Sequence, residues 1–217
     1  MKKRLIPCIF LKNGMIVRSE DFKIHQIIGN PINQVKRFSD WAVDEIIYID
    51  ISESNKYDNR RDDHKIKTSN SKLDLLSEIS KNIFVPLAFG GGIRTTDDIQ
   101  RVLQMGADKV VLNSGMFFDD LLLTQAVEIF GSQALVACVD YKDNFVYFEH
   151  GRSKSKYTVE QWCSILEKQG IGEILLNDIS RDGKSTGYDL KTISMIVDMV
   201  NIPVIALGGA GDYYDFV

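Results

Sequence analysis

Histidine, cysteine and proline are scarce in this chain: three, three and four among 217 residues. His25, His64 and His150 stand far apart, with no partner three or four residues away, so the helical spacing that zinc or iron ligation uses is missing and no metal site is expected. Cys8, Cys138 and Cys163 make no CxxC pair. Two of them fall inside apolar runs, which predicts reduced thiols packed in the core of a cytoplasmic protein rather than a disulfide framework. No Cys-His or Ser-His-Asp arrangement stands out as a nucleophile with its base, and nothing calls for a cofactor. Charge of one sign is lacking too. A net charge of −4 without a basic run excludes nucleic acid as the main partner. No apolar stretch approaches the length that crosses a membrane. Lys2-Lys3-Arg4 has the charge of a secretion leader, but Leu5 to Leu11 is interrupted by Pro7 and ends without a small-residue cleavage site, so a first strand is read there.

What is present is a regular alternation. At 44% hydrophobic and 26% charged, the chain can bury one sizeable core and is short for two domains, so a single domain over 1–217 is expected. Apolar runs without polar alternation predict buried, parallel-type strands at Arg4–Ile9, Glu45–Asp50, Phe84–Phe89, Lys109–Asn113, Ala134–Asp140, Glu173–Asp178 and Pro203–Leu207. Helix starts are marked between them by Asn30-Pro31, by Thr95-Thr96 before Asp97-Asp98, and by the capping box from Thr158 to Gln161. Trp41 and Trp162 read as helical residues packing helices against the sheet. Such βα alternation means a doubly wound sheet or a (βα)8 TIM barrel.

An internal repeat favours the barrel, because a doubly wound sheet gives its second half no reason to copy its first. Pro7-Cys-Ile-Phe-Leu-Lys-Asn13 returns as Ala137-Cys-Val-Asp-Tyr-Lys-Asp143. Asp44-Glu-Ile-Ile-Tyr-Ile-Asp-Ile-Ser52 returns as Gly172-Glu-Ile-Leu-Leu-Asn-Asp-Ile-Ser180, and Val85 to Ile93 resembles Pro203 to Gly211. The offsets are 130, 128 and, aligning Gly90 with Gly208, 118 residues. Half-barrels at approximately 1–130 and 131–217 follow, with the second truncated after strand seven and the last βα unit lacking. A seven-stranded parallel sheet would leave two unpaired edges, so instability or association is expected unless an eighth strand is supplied.

Gly90-Gly91-Gly92 and Gly208-Gly209 each follow a buried strand, where bare backbone N–H groups can approach a phosphate. A single glycine-rich turn is as readily steric as functional. Two at repeat-equivalent positions suggest two anion sites on one face. Gly91, Gly92, Asn113, Ser114, Gly183, Gly208 and Gly209 are the candidate phosphate-binding residues, with Asp182 supplying a carboxylate beside them. Such a face suits a small molecule phosphorylated at each end.

The segments AFGGGIRT, GADKVVLNS, FGSQALVACVDYK, GEILLNDISRDGKSTGYD and VIALGGAG, in this order and spacing, resemble the cyclase subunit of imidazole glycerol phosphate synthase in histidine biosynthesis. The resemblance spans nearly the whole chain. It implies a (βα)8 barrel that holds a bisphosphorylated substrate at one end and takes ammonia from a separate glutaminase subunit docked at the other. It also implies two aspartates, ending strands one and five, as general acid and base. Asp140 fits the strand-five position, and Asp182 is the second candidate catalytic carboxylate. The strand-one position is Phe10, which can neither donate nor accept a proton. Loss of one acid–base group typically costs 10²–10⁴-fold in rate. Asn177 and Lys184 also stand where the family usually or often has threonine, and the polar loop from Ile51 to Ser71 is long for a βα connection, either a solvated excursion or a cover for the ligand face.

Arg4, Glu45, Lys109 and Glu173 each open a predicted strand. Ordinary strand-edge solvation explains any one of them. Together they match the charged ring that gates ammonia entry in the family, and Asp108 matches a position near the glutaminase interface. Entry chemistry is retained where cyclase chemistry is lost. Three activities therefore compete: a histidine-pathway cyclase, a paralogous subunit passing ammonia to another acceptor, or a non-catalytic scaffold that activates the glutaminase. The second is preferred, in the manner of relatives from bacterial surface-sugar pathways, where a third protein would amidinate the sugar.

Overall fold

The structure, a computed structural model, describes residues 3–20, 24–41, 43–54, 56–57 and 69–216. The chain divides into two compact units, one comprising Met1–Arg18, Gln26–Gly92 and Asp97–Val110, the other Ser19–His25, Ile93–Thr96 and Val111–Val217.

In the first unit β1 (Cys8–Lys12) runs parallel to β4 (Ile46–Asp50), which runs parallel to β5 (Leu87–Gly90). Ile46, Ile47, Tyr48, Leu87, Ala88 and Phe89 are inaccessible to solvent, as expected of strands covered on both faces. Below β1 the pairing continues irregularly, the Leu5 and Pro7 carbonyls accepting from Asp44 and Ile47. The strand expected at Arg4–Ile9 therefore begins four residues later and runs through Lys12. β2 (Met15–Glu20) turns back along β1, and β3 (Ile24–Gly29) follows it in sequence. Helix α1 (Pro31–Asp40) starts where Asn30 accepts from the Ile32 and Asn33 amides, and it packs on α2 (Lys72–Ser80). Helix α3 (Thr96–Gln104) and β6 (Lys109–Leu112) come next along the chain.

The second unit repeats this order. After α4 (Gly115–Phe118) and α5 (Leu122–Phe130), β7 (Leu135–Lys142) pairs in parallel with β10 (Glu173–Asp178), and β10 with β11 (Val204–Leu207). β8 (Phe145–Phe148) turns back on β7 and β9 (Ser153–Thr158) on β8. Helix α6 (Val159–Lys168) carries the expected capping box and packs on α7 (Leu190–Met199). Each copy thus reads strand, strand, strand, helix, strand, helix, strand. This is an α/β fold consistent with a TIM-barrel-like arrangement.

The four strands β2, β3, β8 and β9 were not among those expected. Their signal is the turn after the first repeat. Asn13 and Gly14 have φ of 49° and 77°, Asp143 and Asn144 of 50° and 64°. Two successive positive φ values make the tight two-residue turn whose twist suits a hairpin. The registers copy each other: Phe10 lies opposite Val17 and Asp140 opposite Tyr147, each at an offset of 130. The ladders correct the glycine alignment by one residue. Ile46 faces Leu87 and Ile174 faces Val204, so Gly90 corresponds to Leu207, and Gly91-Gly92 to Gly208-Gly209. Phe84 is 89% exposed ahead of β5, and Trp41 is 68% exposed just past the end of α1, edge-on to Phe38, instead of packing against the sheet. Trp162 is buried in α6, as expected.

Candidate functional site

The second unit gathers a polar group inside an apolar core. β7 is buried from Leu135 through Tyr141, and Asp140 lies in it opposite Asn177 of β10. Asn177 Nδ2 donates to Asp140 Oδ1 at 2.7 Å, and Asn113 Nδ2 donates to Oδ2 at 3.0 Å. The Cys138 thiol, two residues earlier on the same strand, donates to Oδ1 at 3.5 Å. Burial raises the Asp140 pKa, opposed by these three donors. Asp182 is pushed up to about 6 by burial and by the charge of Asp140, with the Gly183 amide pulling the other way. Two carboxylates titrating above the ordinary range in one site suit proton transfer near neutral pH.

The expected strand-one partner lies elsewhere in chemistry as well as in sequence. Phe10 is half-buried in β1, between Val17 of β2 and Ile49 of β4. It holds the same register in its hairpin that Asp140 holds in the other.

The candidate phosphate residues divide between the units. In the first, Gly91 has φ of 111°, and a side-chain carbon there would stand 2.0 Å from the Asp50 carbonyl oxygen. In the second, Gly208 meets the Asp178 carbonyl in the same manner, at 2.5 Å with φ of 93°. Both glycines are therefore required by the fold whatever they bind. Asp50 and Asp178 are themselves equivalent: each accepts the amide two residues on, from Ser52 at 2.7 Å and Ser180 at 2.9 Å. The other Asp50 oxygen takes the Tyr57 hydroxyl at 2.5 Å, and that of Asp178 takes Arg181 at 3.2 Å. Gly209 lies against Gly187, whose amide donates to its carbonyl, and Gly183 lies against the Ser19 carbonyl. Ser114 is already engaged, donating to Asn113 Oδ1 at 3.2 Å and accepting the Glu149 amide at 2.9 Å.

Sequence reasoning missed Lys72. From the first turn of α2 its ammonium donates to the Gly91 carbonyl at 2.6 Å and lies 3.3 Å from where a Gly92 side chain would begin. It places a cation beside the glycine turn, and burial lowers its pKa. No sequence spacing links residue 72 to residue 91. Most of the long loop after β4, residues 58–68 with His64, lies outside the described residues.

At the opposite strand ends three of the four expected charges meet. Glu45 is 2% exposed and accepts Arg4 Nη1 at 3.1 Å and Lys109 Nζ at 2.9 and 3.1 Å. A carboxylate this buried is tolerable only with such partners. Glu173 is half-buried at the first residue of β10, in the second unit. Asp108 is exposed and accepts the Leu87 amide at 2.8 Å, as Asp44 accepts that of Leu5 at 2.8 Å. Each of these two aspartates accepts a backbone amide of a neighbouring segment, and the residue after it belongs to the ion cluster.

Residues 4–217 match the family described as histidine biosynthesis protein. The chain is 38% identical over 216 residues to imidazole glycerol phosphate synthase subunit HisF of Hydrogenobaculum sp., covering 97% of this chain and 81% of that protein. It is 37% identical to the HisF subunit of Alkaliphilus metalliredigens, over 99% of this chain and 82% of that one. A Pseudomonas aeruginosa protein provisionally named imidazole glycerol phosphate synthase subunit hisF2 is 33% identical, over all of this chain and 84% of its own length. The chain belongs to the histidine biosynthesis protein family and is a HisF-type cyclase subunit by descent. Among the described residues no helix is long and apolar enough to cross a membrane.

Proposed function

We propose that this chain is a paralogous HisF-type synthase subunit that receives ammonia from a glutaminase subunit and passes it to an acceptor other than the histidine-pathway intermediate. The acceptor class is a bacterial surface sugar undergoing amidination, with a third, amidinating protein completing the reaction. The observation that carries this reading is the shared register of Phe10 and Asp140: both hairpins are built alike, and one carries an aromatic ring where the other carries a carboxylate. The cluster of Arg4 and Lys109 on the buried Glu45 supports retained ammonia entry, with Glu173 as fourth member of the gate and Asp108 at the glutaminase contact. Asp140 and Asp182 are the catalytic carboxylates. Gly91, Gly92, Asn113, Ser114, Gly183, Gly208 and Gly209 would bind the phosphates of the ligand, Lys72 adding charge beside Gly91.

The purified chain with ammonium salts and the histidine-pathway intermediate is expected to give little or no cyclase turnover. Turnover comparable to an ordinary cyclase would overturn the reading. In complex with a glutaminase, Lys109→Ala is expected to lower product formed per glutamine hydrolysed while hydrolysis by the isolated glutaminase is unaffected. Unchanged coupling with the partner still bound would remove the gate. A second reading, an authentic cyclase, is favoured by Asp182, whose pKa near 6 beside Asp140 would let it replace the missing carboxylate. On that reading the wild-type chain turns over the histidine-pathway intermediate, and Asp182→Asn abolishes that turnover.

A further inference from the structure

Asn177 is 1% exposed, and its amide is satisfied at one end only. Nδ2 donates to Asp140 at 2.7 Å, while the buried Oδ1 has no hydrogen-bond partner. Turning the amide over would set oxygen against carboxylate oxygen, so the observed orientation is the one the carboxylate selects. Neighbouring Leu175 and Leu176 on β10 and Val139 on β7 are buried side chains with nothing to donate. Asn113, which approaches the other Asp140 oxygen, has no such vacancy: its Oδ1 takes the Ser114 hydroxyl. A buried acceptor without a donor is costly, so this oxygen favours a donor that comes from outside the chain.

That donor must be small, since the side chain it reaches is 1% exposed. It must carry N–H or O–H, since Oδ1 can only accept. It must also tolerate the adjacent carboxylate. Resting on the ammonia-transfer reading above, we propose that Asn177 Oδ1 is a binding post for ammonia, holding its N–H beside Asp140 before transfer. Asn177 is thereby a positioning and ligand-binding residue. Any proton that ammonia sheds or gains at this post has Asp140 as its nearest carboxylate.

The test follows side-chain amide resonances of the isotope-labelled full chain during titration with ammonium chloride at one fixed, mildly alkaline pH. Potassium chloride serves as control, matching the charge and size of ammonium without an N–H. The Asn177 amide, assigned by its loss in Asn177→Leu, is expected to shift saturably with ammonium and not with potassium. No shift, or the same shift with both salts, would mean that Oδ1 holds an ordered water only and would overturn the proposal. In Asn177→Leu the Asn113 amide reports from the other side of Asp140, and its ammonium midpoint is expected to rise about tenfold, the loss of one hydrogen bond. An unchanged midpoint would sink the assignment. Because the leucine variant also strips a bond from Asp140, Asn177→Thr, which keeps an oxygen acceptor, is read alongside and is expected to retain a response. Its loss would count against the post. If a glutaminase binds and delivers ammonia while Asn177 stays silent, only this inference fails. If Asn177 responds but no glutaminase engages the chain, the ammonia-transfer reading fails and the site stands.

Discussion

The hairpin of β1 and β2 and the hairpin of β7 and β8 share a turn, a register and a place in the repeat, yet one presents Phe10 and the other Asp140. The backbone device is indifferent to the chemistry it carries. Around Asp140 the second unit supplies Asn113, Cys138 and Asn177, each donating to the carboxylate. Around Phe10 the ladder neighbours Val17 and Ile49 are apolar. Phe10 is therefore not an isolated apolar residue among polar ladder neighbours. Its immediate ladder neighbours match an aromatic ring.

The largest expected effect breaks that contrast directly. Phe10→Asp should raise ammonia-dependent cyclase turnover by up to about 10²–10⁴-fold if the rest of the site is competent. A flat response, with the variant still folded, would show that divergence extends beyond this position. Removing the buried carboxylate of the ion cluster comes next. Glu45→Ala takes the shared carboxylate from two cations, one of them largely buried, and should destabilise by about 3–5 kcal/mol in urea unfolding. Lys109→Ala should cost less, since Arg4 still neutralises Glu45. The glycine turns give a paired test of the repeat. Gly91→Ala and Gly208→Ala should each destabilise by about 3 kcal/mol, from a left-handed φ and collision with a carbonyl, and Gly91→Ala should be the worse because its approach is closer. Equal, small losses would show that the strand ends yield easily.

The smallest effect concerns pH. Asp182 has a folded-state pKa near 6, above the ordinary aspartate value, so the folded chain binds more protons than the unfolded chain between about pH 4 and 6. Its contribution is fully present below the unfolded pKa and is lost as pH rises through 6. The loss amounts to roughly 2–3 kcal/mol at most. Unfolding midpoints of wild type minus those of Asp182→Asn, compared at pH 4.5 and pH 7, should fall in that direction. A difference independent of pH would place Asp182 in water.

The parallel strands were legible because burial on both faces writes them as unbroken apolar runs, as Ile46 to Tyr48 and Leu135 to Val139 illustrate. The hairpins were not, because β3 is exposed at Ile24, Ile27 and Ile28 and carries no period that a buried strand would impose. Its one strong signal, Asn13-Gly14, was legible as a turn but not as a turn between strands. Three consecutive glycines offered no anchor for alignment, and only the ladder registers separated Gly90 from Gly91. Asp140 and the three charges of the Arg4, Glu45 and Lys109 cluster were readable by position. Lys72 and the unpaired Asn177 oxygen were not, since their meaning arises from residues 19 and 37 positions away. Trp41 misled because it lies one residue beyond the last turn of α1, where the helical face no longer dictates burial.

The two tight turns also set a timetable. A hairpin closing over two residues forms in about 1–10 μs, whereas pairing β1 with β4 waits for the intervening chain to collapse. During synthesis, N-terminus first, β1 and β2 can zip together before β4 has left the ribosome. Phe10 thus acquires Val17 as neighbour long before Ile49 arrives, and a nascent chain at that stage shows water an aromatic side chain where the later hairpin shows a carboxylate. The first hairpin is consequently the earlier intermediate, the one whose surface a chaperone or another nascent chain would meet first.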